Sequence, residues 1–217
     1  MDKSSFRVQA SASTLSPASK NAGNPKINDQ WAWINSLPNS PYQDYSTIKF
    51  SGISEEDVLR GVNVLAFFTD VIKGKGWGAM LGRRLNMTEV HVREVDGGGV
   101  QAEVVIETTV MDDMRNPFGS LHGSCSAWLV DMCSSTPLVT LGLLQKTDSS
   151  GMSQAMNLIY HGLAPLGTEL KIVSTSVTNQ GKIRVSRCEI RNKKTNALVV
   201  SAMHTKVGGA AKAVAKL

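Results

Sequence analysis

Two features of the sequence can do chemistry. The first is Arg115-Asn116-Pro117-Phe118-Gly119-Ser120-Leu121-His122-Gly123, a polar, glycine-containing loop that runs directly into an apolar segment. Where a loop enters a helix, the N–H groups of the first turn point outward with a partial positive charge. Gly123 has no side chain, so its N–H can approach a developing oxyanion closely, with the Asn116 amide as a second donor. A glycine at a helix start is commonplace, so the loop alone is a weak signal. The second feature is Asp131, a carboxylate within Trp128-Leu129-Val130-Asp131-Met132, in the middle of that apolar segment. A carboxylate desolvated in this way suits general-base or nucleophilic work; the alternative is an Asp at a solvated helix edge or a subunit contact, and the pattern alone does not separate them. Gly123 and Asp131 are eight residues apart, which is about 12 Å along one helix. They cannot flank one carbonyl within a single chain. If both serve one reaction, Asp131 must come from a second chain whose helix lies antiparallel beside the first, which predicts a two-fold dimer.

The elements that position these groups can be read from periodicity. From His122 to about Leu144 the chain is apolar with small residues, too long for a strand, and reads as a buried helix kinked by Pro137. Before it, Leu85–Val95 and Val100–Val110 alternate as strands around an Asp96-Gly97-Gly98-Gly99 hairpin turn. After it come strands at Ser153–Leu163, Glu169–Thr178, Ile183–Ile190 and Ala197–Val207. One central helix embedded in about six antiparallel strands is an α+β pattern, with no sign of parallel crossover units. Upstream, Ser54 reads as the N-cap of an amphipathic helix with Glu55, Glu56 and Asp57 in its first turn and a stop at Gly74. The division expected is a leader and docking segment over 1–50, a helical extension over 51–80, the α+β domain over 81–207 and a flexible tail over 208–217. The first thirty residues, rich in Ser, Ala and Asn, read as mobile, and Trp31, Trp33, Tyr42 and Tyr45 as anchors of the docking segment.

Composition narrows the class. The 217 residues carry 23 Lys and Arg against 18 Asp and Glu, a net charge of +5, which favours an anionic small ligand and lacks the clustered footprint of a nucleic-acid binder. Cys125, Cys133 and Cys188 have no CxxC spacing and read as buried thiols in a reducing compartment. No membrane span is expected, since Val62–Phe68 stops at Thr69-Asp70 and the stretch from Trp128 to Leu144 contains Asp131 and Pro137. Arg7 is the sole arginine before Arg60, which argues against a mitochondrial presequence. There is no GxSxG elbow and so no support for a serine triad.

The ordered set Asn116-x-x-Gly119-Ser120-Leu121-His122-Gly123, Leu129-Val130-Asp131, Ser153-x-x-Met156-Asn157-x-x-Tyr160, Gln180-Gly181-Lys182 and His204-Thr205-Lys206 resembles hotdog-fold acyl-CoA thioesterases of the thioesterase superfamily member 2 and phenylacetyl-CoA type. The resemblance covers roughly Leu85 to Val207. It implies the hotdog fold, a long central helix wrapped by a curled antiparallel sheet, and acyl-CoA hydrolysis to free acid and coenzyme A. It implies that Asn116 and the Gly123 N–H polarise the thioester carbonyl, while Asp131 and Ser153 of the neighbouring chain activate and orient water. His122, Tyr160, Asn179, Gln180, Gly181, Lys182 and His204 are the residues it places against the substrate, His122 reading more simply as a structural histidine at the helix start. No cofactor or metal is implied, because coenzyme A is part of the substrate; a homodimer or a dimer of dimers is. The chain departs from the pattern at Ser124, where the family often has a second glycine, at Pro137, and in the ~80 residues ahead of the match.

Two other functions fit parts of the sequence. One is a non-catalytic acyl-CoA or lipid-binding protein on the same fold, against which the retained Asn116, Asp131 and Ser153 argue. The other is a hotdog enoyl-CoA hydratase, which needs an Asp and a His about five residues apart, and Asp131 has no such histidine. The terminal Ala215-Lys216-Leu217 is a conservative variant of the Ser-Lys-Leu peroxisomal address, so an import receptor is a further expected partner if the source is eukaryotic.

Overall fold

The computed structural model describes residues 32–70 and 73–208. The mobile leader, the Trp31 anchor, the flexible tail beyond Gly208 and the Ala215-Lys216-Leu217 address lie outside the described residues.

Alternating residues build the sheet. β2 (Asn86–Val95) and β3 (Gly99–Thr109) form an antiparallel hairpin, and the turn between them uses Gly97 and Gly98 at φ 88° and 78°, a region that side chains disfavour. β4 (Met152–Tyr160), β5 (Glu169–Gln180), β6 (Ile183–Asn192) and β7 (Leu198–Val207) follow the central helix α3 (Gly123–Leu144). The sheet is open, in the order β1-β2-β3-β5-β6-β7-β4. It therefore has seven strands, one more than expected. The additional strand, β1 (Lys49–Ser51), pairs parallel with β2, so one parallel crossover exists where none was anticipated. Three residues are too few to display a period, and the connection runs through α1 (Glu55–Phe68) and the short α2 (Ala79–Gly82).

α1 starts as its sequence dictates: the Ser54 hydroxyl accepts the Asp57 N–H at 3.2 Å, and three acids occupy the positive end of the helix dipole. It ends at Phe68, six residues short of Gly74, where the Thr69 hydroxyl bonds back to the Leu65 carbonyl at 2.8 Å and Asp70 turns to φ 50°. Val58, Val62 and Leu65 bury one face of α1 in the main core. In the segment before it, three aromatic residues make contacts elsewhere in the chain. Trp33 packs on Phe67 and Phe68 and donates to Asp148 at 3.3 Å, Tyr45 donates to Asn63 at 2.9 Å, and Tyr42 lies under the Arg83 guanidinium.

α3 is the axis of the core. Leu129, Val130, Cys133 and Leu138 on it are fully buried, the first three in one core cluster with Ile106, Leu170, Ile172 and Ile190 of the sheet. Its length and mean hydropathy of 1.3 match a membrane span, yet 72% of that stretch is buried within the fold, as in the core helix of a globular domain. All three cysteines are free and buried, and burial pushes Cys125 up to about 11 and Cys188 up to about 12, which makes them poor nucleophiles. At the sheet edge β4 behaves differently: every residue but Leu158, which packs against the core, is exposed, so within one chain this strand covers little of the core and presents an open ladder.

Pro137 is accommodated inside a continuous helix. It has no N–H for the Cys133 carbonyl four residues earlier, and the buried Thr136 hydroxyl takes over, donating to that oxygen at 2.7 Å. Thr136→Val keeps the shape but orphans the carbonyl, and is expected to destabilise the fold by about 1–3 kcal/mol in urea denaturation. In a Pro137→Ala background, where an N–H is restored, most of that loss disappears.

Candidate active site

The loop ahead of α3 is held from within. The Asn116 N–H donates to the Ser120 carbonyl at 2.7 Å, and Asn116 Oδ1 accepts the N–H groups of Phe118 and Ser120 at 3.0 and 3.2 Å. With Oδ1 engaged in the loop, the Nδ2 amino group is the half of the amide left to donate outward. Pinning continues through Leu121 N–H to the Ala164 carbonyl and His122 N–H to the Met114 carbonyl, both at 2.8 Å. His122 is the N-cap of α3: its Nδ1 accepts the Ser124 N–H at 3.1 Å, the structural part its position indicates. Gly123 is then the first helical residue, and its N–H has no intrahelical acceptor. Tyr160 of β4 reaches this point, donating to the Gly123 carbonyl at 3.1 Å. One end of α3 thus carries two unspent donors, an amide and a backbone N–H, aimed from a rigid loop.

Two turns further along, a second group assembles. Asp131 is not sealed in the apolar interior of α3: its side chain is 29% exposed, in a cleft facing β4 and β7. The Ser153 hydroxyl donates to Asp131 Oδ1 at 2.8 Å. The ladder places it there, since Ser153 lies opposite Lys206, and the register shift between Ser153 and Ala155 re-aims the side chain. Lys206 is buried; its ammonium donates to the Ser135 hydroxyl at 3.0 Å, which in turn donates to the Asp131 carbonyl at 2.8 Å. Burial pushes the Lys206 ammonium down against the pull of Asp131, and nearby Arg184 adds to the shift.

His204 corrects an expectation. It has no exposed surface, so it cannot contact a coenzyme A chain lying on this subunit; it packs beneath Asp131 instead. Nδ1 lies 2.6 Å from the Ser134 hydroxyl and Nε2 3.6 Å from Asp131 Oδ1. We assign the Nε2–H tautomer, which lets Nδ1 accept from Ser134 and turns the N–H toward the carboxylate. Burial pushes this imidazole down to about 4, with the Lys206 charge adding and Asp131 opposing.

The remaining expected contacts lie apart from both groups. Gly181 and Lys182 are exposed at the β5–β6 turn, Gln180 pairs with Ile183 in the ladder, and Asn179 donates to Ser149 at 3.3 Å, close to the C-terminal end of α3. Ser135 was not singled out from sequence, and Lys206 entered there only as the last residue of the His204-Thr205-Lys206 motif, without a role of its own. The signal for Lys206 is its phase: Val200, Ala202, His204 and Lys206 alternate along β7 and all are buried. Among the described residues no cluster of His, Cys, Asp or Glu is arranged to hold a metal.

No family model matches the chain. It is 32% identical over 105 residues to acyl-coenzyme A thioesterase 13 of Homo sapiens and of Pongo abelii, a match spanning 48% of this chain and 71% of each relative. The chain belongs to the hotdog-fold acyl-CoA thioesterase family. The enzyme from Mus musculus is 30% identical over the same length. The crystal structure of zebra fish thioesterase superfamily member 2 shares the fold, with a TM-score of 0.52 at 23% identity over 68% of this chain and 96% of that one. In the terms of this family, α3 is the central hotdog helix and the open sheet its wrapping.

The buried histidine gives this hotdog domain a pH signature. His204 has a lowered folded-state pKa, so the unfolded chain takes up its proton first as the pH falls. Stability from this group is complete above ~6.5, the ordinary histidine value, and is lost progressively toward pH 4, by up to about 3 kcal/mol. His204→Gln is expected to remove that slope, measured as the difference in denaturation free energy between the two proteins from pH 7 to pH 4.

Proposed function

We propose that the chain is an acyl-CoA thioesterase acting through two half-sites contributed by different subunits. The observation that carries the reading is the 2.8 Å bond from Ser153 to Asp131 at an open cleft, two helical turns away from the Gly123 N–H on the same helix and from the Asn116 amide in the loop ahead of it. Each half is organised, and neither is complete. The exposed, unpaired β4 edge, which carries Ser153 and Tyr160, is a surface on which a two-fold partner can complete both halves.

In the proposed reaction the thioester carbonyl oxygen sits against the Gly123 N–H and the Asn116 Nδ2–H of one subunit. Asp131 of the other subunit takes a proton from a water molecule, which Ser153 orients through its free lone pairs. The water oxygen attacks the carbonyl carbon, and the two donors stabilise the negative charge that develops on oxygen. Collapse of the tetrahedral species breaks the carbon–sulfur bond and releases coenzyme A as a thiolate. With a thiol pKa near ~8.5, that group leaves without a strong general acid. The +5 net charge and the exposed Lys182 support binding of the phosphate-rich coenzyme.

Asp131→Asn is expected to lower kcat for thiol release from the best acyl-CoA by about 10²-fold or more. A wild-type rate in that variant sinks the assignment. Mixing the inactive Asp131→Asn and Asn116→Ala chains under subunit exchange is expected to restore about a quarter of wild-type activity, because half the dimers then hold one intact composite site. No recovery with demonstrated exchange places both halves in one chain.

A further inference from the structure

The cleft that opens on Asp131 and Ser153 continues between α1 and α3 as a chamber of about 200 Å³. We infer that this chamber receives the acyl group and that Gly61 of α1 sets how long that group can be; the identity of the occupant rests on the thioesterase reading above. Along α3, Asp131, Ser135 and Val139 line the chamber at intervals of four residues, so its wall runs about 12 Å down the helix. Asp131 and Ser153 form the polar end. Val64 and Val139 form the other, backed by the buried side chains of Ile34 and Leu143, so the chamber closes on an apolar wall. A polar mouth holding the water-activating pair, followed by an apolar cul-de-sac, is the shape that accepts a reacting carbonyl with a hydrocarbon tail. At ~30 Å³ per water-sized group, the volume holds about seven non-hydrogen atoms, which matches a hexanoyl to octanoyl chain or a phenyl-bearing acyl group and is too small to enclose a whole palmitoyl tail.

Gly61 is the residue whose type this explains. It lies inside α1, where glycine weakens a helix relative to alanine, and its φ is not in the positive region that calls for glycine. Packing does not require it either: a Cβ at this position meets Leu143 Cδ1 at 3.9 Å, an ordinary contact. Neither backbone nor neighbours demand the missing side chain, and the space it leaves belongs to the closed end of the chamber. Phe68, also on α1, lines the same space with a half-exposed ring. Chain length is thereby set by an element ahead of the segment that carries the catalytic motifs.

Thiol-release rates on acetyl-, hexanoyl-, octanoyl- and palmitoyl-CoA test this in the full-length protein. Wild type is expected to peak at hexanoyl to octanoyl. Gly61→Leu is expected to lower the octanoyl-to-acetyl ratio of kcat/KM by about tenfold or more, mainly through KM, and Gly61→Ala to shift it the same way by less. Phe68→Ala, which opens the wall, raises the palmitoyl-to-octanoyl ratio. Each readout is a ratio within one preparation, so a partly unfolded variant does not mimic the effect. Hydrolysis with the same chain-length profile in wild type and both Gly61 variants overturns the chamber assignment and leaves the thioesterase reading standing. If wild type hydrolyses none of these esters, calorimetric titration with non-hydrolysable acyl-CoA thioethers of the same lengths reads the preference directly. A length preference that shortens in Gly61→Leu then upholds the chamber while removing the hydrolytic reading; absent or length-independent binding overturns the chamber.

Discussion

A 22-residue helix as apolar as α3 has to be hidden on nearly every side, and the rest of the molecule is arranged around that requirement. The sheet covers it with the inward residues of β3, β5, β6 and β7, and α1 packs across it from outside the sheet. Hiding a helix so completely also means that each polar group on it needs a partner within the protein, because water is not available. The hydroxyls of Thr136 and Thr140 return to backbone carbonyls of the preceding turn, and Ser134 meets His204. Asp131 is the one charge on α3, and it sits where sheet, α1 and β4 fail to close over the helix. The cleft beside Asp131 is thus a seam in the burial of α3, lined by α3 itself, α1, β4, β7 and the loop residues Ser150 and Gly151.

The same helix separates the two chemical tasks. Its N-terminus offers unspent backbone N–H groups, and only there; four residues in, every N–H is taken by the helix itself. In the proposed reaction the donor to a developing oxyanion is therefore placed at Gly123, and the base on a side chain further along. The eight residues between them fix a separation of about 12 Å, which one chain cannot bridge across a carbonyl. The exposed β4 edge follows from the same logic. A strand that meets the core only through Leu158 in one chain, yet carries Ser153 toward the cleft and Tyr160 toward Gly123, is placed to join surfaces rather than to hide one.

Local patterns in the sequence determined most of the elements. The 3.6-residue and two-residue periods located α3 and six strands to within a few residues, the Ser54 cap and its acids located the start of α1 but not its end, six residues earlier than expected, and the glycine run located the β2–β3 turn. They did so because each depends on neighbours a few positions away. The α+β class followed from their order, and the two chemical groups on α3 followed from residue type and spacing. The length of Pro137's consequences was also local: a threonine next to a proline repairs the carbonyl that the proline orphans.

Tertiary structure decided what depends on residues distant in sequence. The parallel edge strand β1 takes its identity from β2 and not from its own three residues. Asp131 looked like a carboxylate buried in an apolar helix, and only the packing of α1, β4 and β7 makes a cleft beside it, supplies Ser153, and sets Lys206 and Ser135 behind it. His204 is 73 residues away in sequence from Asp131 and 3.6 Å away in space. Read as a motif residue it belonged with the substrate contacts, while the pleat of β7 turns it inward, beneath the carboxylate. Gly61 likewise carries no motif; its meaning comes from the empty space that two packed helices leave opposite it. Periodicity says which face of an element is buried, but what that face meets is settled by the arrangement of the other elements around α3.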